Sequence, residues 1–220
     1  MIHQDPARRL DMRPMPPVMV LRYRDRTRMN HWFVAILFLC SALTGLAIFH
    51  PLFYPFVYLF GGGVWARILH PFFGVVMTLG FFGLFLAMWR ENVMDSGDTA
   101  WLKAAPTLLR GDEEDMPPVG KNNAGQKLVF WSAAICLVVL LVTGFMFWQP
   151  WFADAFAVPV RRIAVVLHAL AATVLILTII VHIYAAIWVK GSIQAMTRGT
   201  VSEGWARFHH PLWWRQIKGK

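Results

Sequence analysis

An all-α membrane protein built as a bundle of four transmembrane helices is the fold this sequence predicts, and three observations predict it. Four apolar stretches, residues 31–49, 64–89, 126–148 and 160–190, each reach the length a helix needs to cross a hydrocarbon core about 30 Å thick. Of the 220 residues 57% are hydrophobic and only 15% charged, which excludes a water-soluble enzyme of ordinary composition. Lys and Arg are also distributed with a clear side preference. Seven precede His31, five lie from Arg90 through Lys127 and six follow from Lys190 onward, while the other two connections hold only Arg67, Arg161 and Arg162. By the positive-inside rule both termini and the middle connection are expected in the cytoplasm and the two short connections outside. The net charge of +9 therefore has a topological cause, and with no basic-aromatic motif beside it a nucleic-acid partner is not expected.

Residues 1–21, rich in Pro, Arg and Met, read as an N-terminal extension that is irregular or bound to a partner. No removable signal peptide is expected, because the first apolar stretch follows a long polar one and no small-residue cleavage site follows it. Arg22, Arg24, Arg26 and Arg28 form a basic juxtamembrane run that orients the first helix. The four-helix domain spans residues 22–191. Within it, residues 91–125 read as a solvated loop, with an acidic run at 112–115 and a break at Pro117-Pro118. The fourth stretch is about 46 Å long as helix, so it should tilt or project. Residues 192–220 form a cytoplasmic tail in which Trp205, Phe208, Trp213 and Trp214 are expected to anchor a surface segment at the interface. Cys40 and Cys136 fall inside apolar stretches and read as small core residues.

Histidines carry the chemistry. His168 and His182 stand fourteen residues apart on the fourth helix, which returns a side chain to within about 40° of its starting direction after a rise of about 21 Å. Two imidazoles thus face one way, one near each leaflet, where ionisable groups mark functional paths. His70 lies near the outer start of the second helix and His31 near the cytoplasmic start of the first. Only two pairings match in depth: His70 with His168 outside, and His31 with His182 inside. Imidazole is a common axial ligand of haem iron, and a four-helix bundle holds cofactors between facing helices. Two bis-histidine haems follow as the reading, bound noncovalently as b-type haem because no C-x-x-C-H is present. Each histidine also has a plainer role available, as a hydrogen-bonding group between helices or at the headgroups. His3, His50, His209 and His210 fall outside the spans and are not expected to be ligands.

Other chemistries fit less well. Four histidines in two distant pairs do not make one zinc site, and no carboxylate lies in any span for a proton-relay transporter. Gly45, Gly74, Gly80, Gly83 and Gly144 suit either a macrocycle against a helix backbone or close helix packing. Arg67, one turn before His70, can pair with a haem propionate or snorkel to the interface. A faint internal echo repeats Thr44-Gly45 as Thr143-Gly144 and His70 as His168, but His31 and His182 have no matching histidines.

These residues sit in segments that carry a resemblance: Arg28-Met29-Asn30-His31-Trp32, Ala66-Arg67-Ile68-Leu69-His70-Pro71-Phe72-Phe73-Gly74, Asn123-Ala124-Gly125-Gln126-Lys127 with Phe130-Trp131, Tyr184 through Trp188-Val189-Lys190-Gly191, and His209-His210-Pro211. In order and spacing they resemble the gamma subunit, the membrane cytochrome b, of respiratory formate dehydrogenase. The resemblance implies two b haems, an outer one on His70 and His168 and an inner one on His31 and His182. It implies an iron–sulfur beta subunit as electron donor, and a molybdenum- or tungsten-containing alpha subunit as the site of formate oxidation. It also implies menaquinone or ubiquinone as acceptor, in a pocket at Asn123, Gly125 and Gln126 beside His182, in a bacterial inner membrane and with a possible higher oligomer. On residue type alone Asn123 and Gln126 suit quinone oxygens or the cap of the third helix equally well. Two other readings stand beside it: the di-haem cytochrome b of a hydrogenase or thiosulfate reductase, and a haem-free membrane anchor.

Overall fold

The computed structural model describes residues 17–108 and 116–219. Residues 1–16 of the expected extension, His3 among them, and the acidic run 112–115 lie outside the described residues. A short strand β1 (Met19–Leu21) leads into α1 (Asp25–Phe49), and a 3-10 helix (Pro51–Phe60) reverses the chain into α2 (Gly63–Met88). The reversal needs Gly61 and Gly62, whose φ angles of 84° and 105° lie where a side chain is strained. A 3-10 turn (Trp89–Asn92) and α3 (Ser96–Leu108) follow, then α4 (Ala124–Phe147), a 3-10 turn (Ala153–Ala155) and α5 (Val158–Trp188). The tail folds as α6 (Ser192–Thr197), β2 (Thr200–Ser202), α7 (Glu203–His209) and α8 (Pro211–Lys218).

Among the described residues four helices, α1, α2, α4 and α5, are long and apolar enough to cross a membrane, as the hydropathy pattern requires. α1 packs along α2 and α4 along α5, and the two hairpins meet chiefly through α2 and α4. The turns at Pro51–Phe60 and Ala153–Ala155 therefore mark one face of the bundle, and α3, the tail and β1 mark the opposite, terminal face. Between the faces, Met77, Ala133, Cys136, Leu137 and Leu175 form a buried cluster joined by Val34, Leu37 and Phe38 of α1. Ile36, Leu79, Ile135, Leu170 and Leu177 point outward and stay exposed, the arrangement of a bundle whose solvent is hydrocarbon.

The terminal face departs from expectation in three respects. Residues 91–125 are not simply a loop, because α3 occupies Ser96–Leu108. Asp95 Oδ1 accepts from Gly97 N at 2.8 Å and Asp98 Oδ2 from Asp95 N at 2.7 Å, so two aspartates satisfy donors at its start. β1 pairs antiparallel with β2, Val20 opposite Val201, which ties residues 19–21 to the tail of the same chain. Trp213 is not an interfacial anchor: it is 6% exposed, in a core with Tyr23, Ala195, Val201 and Ala206. The tail has folded onto itself, so its aromatic side chains find apolar partners within the protein; Phe208 remains exposed.

Candidate functional site

Helix geometry places the four histidines at two levels. His31 is in the second turn of α1, His182 near the end of α5, and both belong to the terminal face; their ring centres are 6.3 Å apart, the planes inclined by 57°. At the opposite face His70 of α2 and His168 of α5 also stand 6.3 Å apart, inclined by 67°. Both expected pairings are thus brought together. Leu175, buried in the central cluster, lies halfway between His168 and His182 on α5, about 10 Å along the helix from each.

The pairs differ in how their rings are held. Thr44 Oγ1 lies 3.0 Å from His70 Nδ1, and Thr143 Oγ1 lies 3.0 Å from His168 Nδ1. Each hydroxyl has one hydrogen and gives it to its own helix, Thr44 to Cys40 O at 2.7 Å and Thr143 to Val139 O at 2.6 Å. What remains on each oxygen is a lone pair, so Nδ1–H donates to it and Nε2 is left bare. The residue after each threonine is a glycine packed under the imidazole, tightly at Gly45 and at contact distance at Gly144. A Cβ at Gly45 would stand 3.0 Å from His70 Cε1, and one at Gly144 would stand 3.4 Å from His168 Cε1. The Thr-Gly echo in the sequence is therefore one cradle built twice. At the terminal face His31 Nδ1 is buried without a hydrogen-bond partner among the described residues.

These features test whether haem fits. An imidazole–metal bond is about 2 Å and a ring centre lies about an ångström behind its nitrogen, so one metal between two imidazoles sets the centres about 6 Å apart. Both pairs have that separation. Bare Nε2 atoms over two glycine floors at one level, and a second imidazole pair at the same ring separation at the other, are a donor set suited to bis-histidine iron. The residues fit the group.

Other expected site residues are placed as follows. Arg67 is exposed and lines a cleft of about 580 Å³ with His50, Tyr54 and Gly63, at the face of the His70–His168 pair. His50 is engaged locally, its Nδ1 accepting from Leu52 N at 3.2 Å. Of the remaining glycines, Gly80 and Gly83 serve α1–α2 packing: a Cβ at either would meet Val34 or Asn30 at 2.9 Å, and Asn30 Nδ2 donates to Gly80 O at 2.8 Å. Gly74 faces open space.

At the start of α4, Asn123 Oδ1 accepts from Gln126 N at 2.9 Å and Gln126 Oε1 accepts from Asn123 N at 3.0 Å, a complete capping box. Capping uses both side-chain oxygens and leaves each amide NH2 as a donor. Gly125 is shaped by α3, since a Cβ there would stand 3.1 Å from the Trp101 ring. Lys127, next along the helix, places Nζ 2.8 Å from both Asp95 Oδ2 and Asp98 Oδ2. That hydrogen bond, foremost, holds the Asp95 carboxyl below the usual carboxylate range. Asn92 receives Asn122 Nδ2 at 3.1 Å and Trp131 Nε1 at 2.8 Å, and Lys121 reaches Glu91 at 2.7 Å.

Beneath this corner Arg22, 5% exposed, lies over the rings of Tyr23, Trp205 and Trp213, and its Nη2 donates to Lys121 O and to His210 Nε2. His210 Nδ1 in turn donates to Gly120 O at 2.8 Å. Sequence reasoning missed Thr44 and Thr143 as partners of the imidazoles, although the echo contained them. It also missed Asp95, Asp98, Trp101 and the Arg22–His210 pair, for which no sequence spacing gives a signal.

Comparison with known proteins follows the same lines. A family model described as prokaryotic cytochrome b561 matches residues 22–199. The chain is 44% identical over 199 residues to the formate dehydrogenase cytochrome b556(fdo) subunit of Escherichia coli K12, covering 90% of this chain and 93% of that one. It is 42% identical over 200 residues to the nitrate-inducible formate dehydrogenase cytochrome b556(Fdn) subunit of the same organism, covering 91% and 92%. With the formate dehydrogenase cytochrome b556 subunit of Haemophilus influenzae it is 40% identical over 197 residues, covering 90% and 83%.

Proposed function

Because the chain belongs to the prokaryotic cytochrome b561 family and, within it, to the cytochrome b subunits of formate dehydrogenases, we propose that it carries electrons across a bacterial inner membrane from an iron–sulfur partner subunit to quinone. The observation that carries this reading is the two imidazole pairs, at equal ring separation and at opposite faces of one four-helix bundle. His70 and His168 would hold one b haem, and His31 and His182 a second. Haem, when bound, supplies a one-electron couple that no side chain here offers.

The chain's own part is placement. Two imidazoles on each iron would leave no open coordination position, which suits electron transfer over oxygen chemistry. Arg67, exposed one turn before His70, is suited to a propionate. The termini, α3 and the basic connections are assigned to the cytoplasm, because Lys and Arg gather there. His70 and His168 then lie outside, on the side of the iron–sulfur donor, while the Mo- or W-containing alpha subunit oxidises formate elsewhere in the complex. At the cytoplasmic face the free NH2 groups of Asn123 and Gln126 point to acceptors, and the carbonyl oxygens of menaquinone or ubiquinone are acceptors. Gly125 and His182 complete that pocket. Quinone reduction there takes two electrons and two protons, and the protons come from the cytoplasm.

Native purification tests the reading. A dithionite-reduced spectrum should show b-type absorption with two haems per chain, alongside a co-purifying iron–sulfur subunit and formate dehydrogenase. Absence of that absorption from fresh complex, or a hydrogenase in place of formate dehydrogenase, would overturn it.

A further inference from the structure

We propose that Thr44 and Thr143 set the reduction potential of the His70–His168 site and hold it below that of the His31–His182 site, so that electron flow toward the cytoplasmic face runs downhill. The inference rests on the haem reading above and extends it to residues that touch neither iron nor porphyrin in that reading.

Thr44 is fully buried and Thr143 is 5% exposed, and each gives its hydrogen to a carbonyl one turn back in its own helix. Each oxygen can then only accept from the imidazole facing it, at 3.0 Å in both cases. An imidazole that donates Nδ1–H to an acceptor becomes a more basic ligand through Nε2. A more basic ligand stabilises the oxidised metal more than the reduced one, which lowers the potential; second-shell hydrogen bonds are one of the protein's means of tuning haem. At the far pair both axial rings carry this bond. At the terminal pair His31 Nδ1 is buried with no partner among the described residues, so that ring keeps its proton undrawn. The asymmetry is between the two sites, and the symmetry is within one: Thr44-Gly45 and Thr143-Gly144 repeat the same hydrogen bond and the same glycine floor on two helices. Both threonines therefore act through the histidines and are positioning residues. The bland alternative, helix packing alone, would need neither hydroxyl aligned on Nδ1.

The experiment is an optical redox titration of the purified complex, comparing the parent with Thr44→Val, Thr143→Val and the double variant. Valine keeps the volume and removes the hydroxyl acceptor, leaving only the backbone carbonyls of Ser41 and Leu140 beside the two rings. The wave of the His70–His168 haem, identified as the one that persists in a His182→Ala background, should move to higher potential. A tenfold shift in its reduction equilibrium is expected for each substitution, about 59 mV for a one-electron couple, with the other wave unmoved. Thr44→Ser should restore the parent value, which a packing role would not do. If the valine variants shed haem, Thr44→Cys keeps a weaker acceptor in place and should show a smaller upward shift. Both haems present with an unmoved wave in the double variant would overturn the inference. Absence of b-type absorption in the parent complex would instead remove the haem reading beneath it.

Discussion

Lys127 Nζ stands 2.8 Å from Asp98 Oδ2, and each of these side chains is 6% exposed. The pair closes the junction between α3 and the first turn of α4, next to Asn123, Gly125 and Gln126. Removing one partner of a buried ion pair leaves an uncompensated charge, at about 3–5 kcal/mol. Lys127→Met should therefore lower the melting temperature of the purified complex by several degrees. Asp95 touches the same ammonium but is 66% exposed, and Asp95→Ala should change stability by no more than about 1 kcal/mol. Equal losses from the two substitutions would show that the pair is not buried as described.

The capping box makes a separation possible at the proposed quinone pocket. Asn123→Asp keeps a side-chain oxygen for Gln126 N, so helix capping survives, but it deletes the NH2 donor. Gln126→Glu does the same for the reciprocal bond. Both variants should retain haem and melting temperature while losing sensitivity to quinone analogues and slowing quinone reduction. Asn123→Ala would lose the cap as well, at about 1 kcal/mol. Unchanged inhibition and turnover in the Asp and Glu variants would confine these residues to the cap.

His182→Ala removes one ring of the terminal-face pair and leaves His70 and His168 untouched. The haem count should fall from two to one per chain, and quinone reduction should be lost. Formate oxidation by artificial dyes, which needs only the partner subunits, should persist. Two haems retained in this variant would show that the ring pairing does not correspond to ligation.

How far the sequence revealed this arrangement depended on which features are set by distance along a single helix. The depth of His31, His70, His168 and His182 follows from the fixed rise per residue within an apolar span, so their pairing is legible in the spacing alone. α3 could not, because Gly97 and Pro106 interrupt a segment whose start depends on bonds between Asp95 and Asp98. The Lys127–Asp98 pair joins residues far apart in the chain, and no periodicity reports such a contact. Thr44 and Thr143 were visible as an echo, but only the hydroxyl-to-carbonyl bonds give that echo a direction. β1 and β2 span three residues each, too short for alternation to register.

His210 provides a test through acid. It is 3% exposed, with Nε2 accepting from Arg22 at 3.3 Å and Nδ1–H donating to Gly120 O at 2.8 Å. Burial, followed by the Arg22 guanidinium, lowers its pKa from 6.5 to about 3. A second proton on Nε2 would break the Arg22 bond and set two positive charges together, with His209 beside them. The folded form thus binds this proton more weakly than the unfolded form does. Its contribution to stability is complete above pH 6.5 and declines as the pH falls from there toward 3. Because His210 joins α7 to the connection that leads into α4, the tail should loosen first. Limited proteolysis of the complex should cut the tail faster at pH 5 than at pH 7.5, and His210→Gln, which has no proton to gain in this range, should remove most of that difference. The same acid sensitivity in His210→Gln as in the parent would assign the effect to another group.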